Sequence, residues 1–219
     1  MMIAGLLLTL AALVVAALLS PGRGWRLFVA LFALGWIVGQ FNTLIEAVVF
    51  DVMPVGEALV ALGVGAVVYA IIAAGAVLLT GKWWGKDSAR PVQPRITPLR
   101  LVGVIAGYEL LYWGAGMLVF PYIEHFYAGK ALPSVALIAG LQIPRALIFA
   151  AAAWPLLRTS PRAAPLVLAI AFSVIGGIAP LLPDNPYMPA DIRLAHGIET
   201  GLSNFLFGLL VGLLLRPQR

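Results

Sequence analysis

The sequence predicts an all-α integral membrane protein of seven transmembrane helices, with the N-terminus outside and the C-terminus cytoplasmic. Three observations lead there. Of 219 residues, 62% are hydrophobic and 11% charged, with a mean hydropathy of +1.02, a composition of membrane-embedded chains. Apolar runs of about 20 residues, the length that crosses a bilayer, recur seven times. The basic residues crowd into alternate linkers. Little chain remains for a soluble domain, so residues 1–219 read as a single seven-helix transmembrane domain. The net charge of +5 sits in loops between spans and implies no nucleic-acid partner. The chain has no cysteine, which excludes disulfides, iron–sulfur clusters and thiolate metal sites.

The spans are expected at roughly 3–19, 26–50, 57–80, 100–120, 133–157, 164–182 and 192–215. The first has no preceding positive charge, since Arg23 and Arg26 come after it. That polarity fits a retained helix better than a signal peptide. Pro- and Gly-bearing linkers such as SPGRGWR, DVMPVGE and LPDNPYMPAD end the spans. Asp191 is placed to cap the seventh. PYIEHFYAGKALP reads as a loop after the fourth span, leaving Glu124 and His125 outside the helix.

The basic residues set the orientation. With the N-terminus outside, Arg23, Arg26, Lys82, Lys86, Arg90, Arg95, Arg100, Arg158, Arg162, Arg216 and Arg219 lie inside. Those are eleven of the fourteen. Lys130 and Arg193 remain outside, and Arg145 falls within a span. Trp83 and Trp84 beside Lys82 and Lys86 read as an interfacial anchor. A bacterial inner (plasma) membrane is the expected location.

The seventh span organises the candidate site. At about 100° per residue, His196, Glu199, Thr200, Ser203 and Asn204 share one side. Gly197, Gly201, Gly208 and Gly212 form a stripe for a neighbouring helix, and Leu202, Leu206, Leu209 and Leu213 face lipid. Ionisable groups within a membrane are costly and usually functional. The second span carries Gly35, Gly39, Asn42, Thr43 and Glu46 at spacings of three and four, hence on one face. At 1.5 Å per residue, Glu46 and Asn42 lie roughly 8 and 13 Å below the outer end. His196, Glu199 and Asn204 lie roughly 8, 12 and 20 Å deep. The fourth span adds Glu109 with Tyr108 and Tyr112. The fifth adds Gln142 and Arg145 on one face, with Pro144 between them expected to disturb the helix.

Charge defines the chemistry expected of this set. Glu46, Glu109 and Glu199 face one Arg and one intramembrane His. One Arg satisfies one carboxylate well, here Glu46 or Glu109. The surplus asks for protons, a bound cation or water. The expectation is therefore an outward-facing polar pocket that binds or transports a small solute or cation, proton-coupled in one version. Its ligand-binding residues are Asn42, Glu46, Glu109, Gln142, Arg145, His196, Glu199, Ser203 and Asn204. A metal held by His196, Glu199 and Glu46 is a further option, because residues three apart on a helix can face one ion. No cofactor is specified: a bis-His haem would need both His125 and His196, and the seventh span has no lysine for a retinal Schiff base. The alternatives are a membrane-embedded enzyme, metal-dependent in one version, acting on a lipid or apolar substrate, and a non-catalytic subunit. The expected partners are the lipid bilayer, the small solute or cation, and homo- or hetero-oligomer contacts through glycine-rich faces.

Overall fold

The computed structural model describes residues 2–86, 91–130, 132–159, 162–184 and 188–217. Arg90, Arg219 and Asn185–Tyr187 of the Pro-rich loop lie outside them. Seven helices are long and apolar enough to cross a membrane. They are α1 (Met2–Leu19), α2 (Gly24–Val49), α3 (Val55–Leu79), α4 (Pro98–Tyr127), α5 (Val135–Thr159), α6 (Ala164–Leu181) and α7 (Ala190–Leu215). Each matches an expected span, with ends shifted by a few residues except in α4.

Prolines account for two differences. Pro121 lies inside α4, which continues to Tyr127, so Glu124 and His125 are helical rather than loop residues. Pro144 and Pro155 sit within a helix that runs unbroken from Val135 to Thr159. A proline removes one hydrogen bond and crowds the preceding turn, and inside the membrane neighbouring groups can take up the freed carbonyl. At the start of α7 the N-cap residue is Pro189, without a side-chain cap bond. Asp191 does not cap; it lies in the first turn and pairs with His125 at 3.4 Å.

Two wide turns interrupt the α-helical register. Ile37–Phe41 in α2 and Val174–Ile178 in α6 are π-helical. The backbone N–H of Asn42 donates to Ile37 O, five residues back. The extra residue rotates the rest of α2 about its axis, which breaks the expected single face of the second span. Gly35 and Gly39 pack against Tyr69 of α3, Asn42 is buried, and Thr43 is turned outward. The two wide turns touch: a Cβ on Gly39 would lie 2.8 Å from Ile175 Cγ2, and one on Gly176 2.8 Å from Val38 Cγ1.

The glycine stripe of α7 is used within the bundle. Cβ atoms on Gly208 and Gly212 would collide with the backbone of Leu168 and Pro165 in α6, and Gly201 meets Ile178. Missing side chains allow these helices to approach closely. Gly197 departs from the stripe, with open space around it. Leu202, Leu206 and Leu213 are exposed on the opposite flank, as expected for lipid contact; Leu209 is half-buried.

The chain crosses back and forth seven times, and its ends differ in charge. At one end Lys82 Nζ donates to Ala17 O, Leu18 O and Ser20 O at 2.6, 3.1 and 2.5 Å, satisfying the last carbonyls of α1. Burial, and behind it the charge of Arg23, lowers the pKa of that ammonium. At the same end Val92 bonds to Arg158 O, Arg95 to Leu215 O, and the Arg100 guanidinium to Leu214 O. The other end carries Asp51, Glu57, Glu124, Asp184 and Asp191, together with His125, Lys130 and Arg193. There Arg193, only 8% exposed, is held by Asp184 and by Met188 O.

Candidate functional site

Between α2, α4, α5 and α7, polar side chains form a file that starts near mid-bundle and runs to the acidic end. Its deepest ionic contact joins Arg145 Nη2 of α5 to Glu46 Oε2 of α2 at 2.9 Å, with side chains 9% and 29% exposed. Arg145 Nη1 also donates to Gln142 Oε1 at 2.9 Å, and Gln142 Nε2 donates to Ile138 O at 3.0 Å. The three-residue spacing brings Gln142 and Arg145 together as expected. Tyr112 of α4 donates its hydroxyl to Glu46 Oε1 at 3.1 Å. Each Glu46 oxygen therefore has a partner, and the guanidinium lies 5.8 Å from the Tyr108 ring.

Above this pair, α7 and the end of α4 form a second unit. Glu199 Oε2 lies 2.7 Å from His196 Nδ1, and His196 Nε2 lies 3.0 Å from the Tyr127 hydroxyl. The side chains of His196 and Glu199 are 18% and 13% exposed. A carboxylate thus orients an imidazole whose other nitrogen meets a phenol. The two units adjoin along α4, which supplies both Tyr112 and Tyr127. A Cβ on Gly116, one turn along α4 from Tyr112, would lie 3.5 Å from Glu199 Oε1.

Other expected members lie elsewhere. Glu109 is not paired with Arg145; its Oε2 accepts from Trp113 Nε1 at 2.9 Å, one turn along α4. Arg145 pairs instead with Glu46 of α2. Ser203 and Thr200 donate back to Glu199 O and His196 O of their own helix, at 2.8 and 2.6 Å. Asn204 reaches α6 and donates to Gly176 O of the π-helical turn at 3.2 Å. Among the described residues no group of three or more His, Asp or Glu could hold a metal ion. Glu46 is taken by Arg145 and Tyr112, so it does not join His196 and Glu199. His125 and His196 have different partners, Asp191 and Glu199.

The file closes below Arg145. Tyr108, Phe149, Phe172 and Phe207 interlock there, with ring centroids 4.7 Å apart for Tyr108–Phe207 and for Phe149–Phe172. Leu31, Leu34, Leu156 and Val211 pack around them, nearly or fully buried. A separate groove of about 600 Å³ opens between α6 and α7, lined by Ser173, Ile178, Leu194, Ile198, Leu202 and Phe205 among others. It includes none of the expected site residues and is mainly apolar.

Sequence reasoning missed Tyr127, because Pro121 and the charges after it read as a loop. The signal was the spacing: Tyr108, Tyr112, Gly116 and Tyr127 recur near helical periods and share a side of one long helix. No protein-family model, curated protein or solved structure matches this chain.

Proposed function

We propose that the protein binds a small cation or cationic solute in a one-sided polar site between α2, α4, α5 and α7, and that protons compete for the same groups. One observation carries this reading: Arg145 is spent on Glu46, while among the described residues the second carboxylate, Glu199, has no Lys or Arg partner and is paired with His196. Two carboxylates thus stand against one guanidinium in this part of the bundle. A buried carboxylate without a cation is costly. An ammonium cation satisfies it, and so does a proton. The acidic rim of Asp51, Glu57, Glu124 and Asp191 favours cation approach.

Lys and Arg concentrated at the opposite end make that end cytoplasmic by the positive-inside rule, which gives an outside N-terminus and an outward-facing site. A bacterial inner membrane is the setting in which this rule applies most directly. Transport of the bound cation requires the Tyr108–Phe149–Phe172–Phe207 cluster to part, so binding is the primary activity and transport occurs only with that movement. Thermal stabilisation by methylammonium, compared in wild type and Glu199→Gln, tests the reading.

The ordered row Glu199–His196–Tyr127 favours a second reading, a membrane-embedded enzyme in which His196 exchanges protons with a substrate. Loss of turnover in His196→Ala with unchanged methylammonium binding would favour it.

A further inference from the structure

Asn42 is the most enclosed polar residue of the file after Gln142, at 1% exposure. Among the described residues neither its Oδ1 nor its Nδ2 has a hydrogen-bond partner. Its side chain lies within reach of the Tyr108 hydroxyl, but no bond of acceptable geometry forms. Arg145 Nε is likewise buried and unpartnered, although the same guanidinium spends Nη1 on Gln142 and Nη2 on Glu46. Both approach Tyr108, Asn42 at the hydroxyl and the Arg145 guanidinium 5.8 Å from the ring centroid. A buried amide left wholly unpaired is costly, and nearly all such groups in folded proteins find a partner.

We propose that Asn42 and Arg145 Nε bind an internal water molecule beside Tyr108. The chemistry selects water. Asn42 presents an amide NH2 that donates and a carbonyl oxygen that accepts, and Arg145 Nε offers one donor. A single small molecule that both donates and accepts answers all three. Buried waters characteristically make about three such bonds. An anion is not called for, because Glu46 already compensates the guanidinium. A larger solute does not suit a side chain so fully enclosed.

The π-helical turn gives the site a structural origin. Asn42 comes directly after Ile37–Phe41, and its own N–H closes the wide turn on Ile37 O. That added residue turns the amide inward and Thr43 outward. Wide turns of this kind occur often at functional positions. The water would extend the polar file one level below the Arg145–Glu46 pair, against the aromatic cluster. The inference rests on these unpaired atoms alone, so its failure would leave the cation reading standing.

The test is a structure of the purified full-length protein at a resolution that shows waters, with the melting temperatures of Asn42→Leu and Asn42→Ser. A density peak is expected about 2.7–3.2 Å from an amide atom of Asn42 and from Arg145 Nε. Asn42→Leu should melt about 2–4 °C lower than wild type. Asn42→Ser, which keeps a group able to bond water, should lose less. No peak, or an amide bonded directly to a protein atom in its place, overturns the proposal. So does an Asn42→Leu protein as stable as wild type, because leucine would then merely have removed an unpaired amide. Should Asn42→Leu fail to fold, the density alone decides.

Discussion

Arg145 Nη2 and Glu46 Oε2 meet at 2.9 Å between α5 and α2, and Gln142 and Tyr112 hold the far sides of the two groups. Removing one member of a buried pair strands the other's charge, at about 3–5 kcal/mol. Arg145→Ala should therefore lose about that much stability. Adding Glu46→Gln should recover part of the loss, as a double-mutant cycle of unfolding measures. Additive losses would mean that the two side chains do not interact.

The α6–α7 contact depends on the absence of side chains. A Cβ on Gly208 would lie 2.5 Å from the carbonyl carbon of Leu168, a backbone atom that cannot swing aside. Gly208→Ala should cost about 1–3 kcal/mol, the usual range for overpacking. Gly197, where a Cβ would meet no atom within 4 Å, is the control. Gly197→Ala should be neutral or gain up to about 1 kcal/mol from helix propensity. Equal melting temperatures for the two variants would contradict the packing.

Much of this architecture was legible in the sequence, and the exceptions have definite causes. Hydropathy located all seven spans, and spacing joined Gln142 to Arg145 and His196 to Glu199. The inserted residue in α2 was invisible because an α-helical wheel assumes a constant 100° per residue. Thr43 and the glycines therefore fell on the wrong side of the Asn42–Glu46 face. In the sequence Pro121 and Pro144 look like points of disturbance, yet both helices continue through them. That continuation brings Tyr127 to His196. Glu109 lies at a depth that suits Arg145, but depth does not distinguish the flank that meets Trp113 from the one that meets Arg145.

Topology gives a third prediction. Most of the described basic residues outside the spans share one end of the bundle, with Lys130 and Arg193 at the other, so reporter fusions after Gln93 and after Arg219 should both report the cytoplasm. A periplasmic signal at either position would reverse the orientation and turn the polar file inward.

The central claim is that Glu199, with His196 beside it, holds a cation for which protons compete. The direct measurement is the shift in melting temperature on adding methylammonium, between about pH 5 and 8, the range in which imidazoles change charge. In wild type the shift should be largest at the alkaline end and shrink as pH falls. Glu199→Gln retains shape and hydrogen bonding but removes the charge, so its shift should be small and independent of pH. An equal methylammonium shift in Glu199→Gln and wild type at every pH would contradict the account.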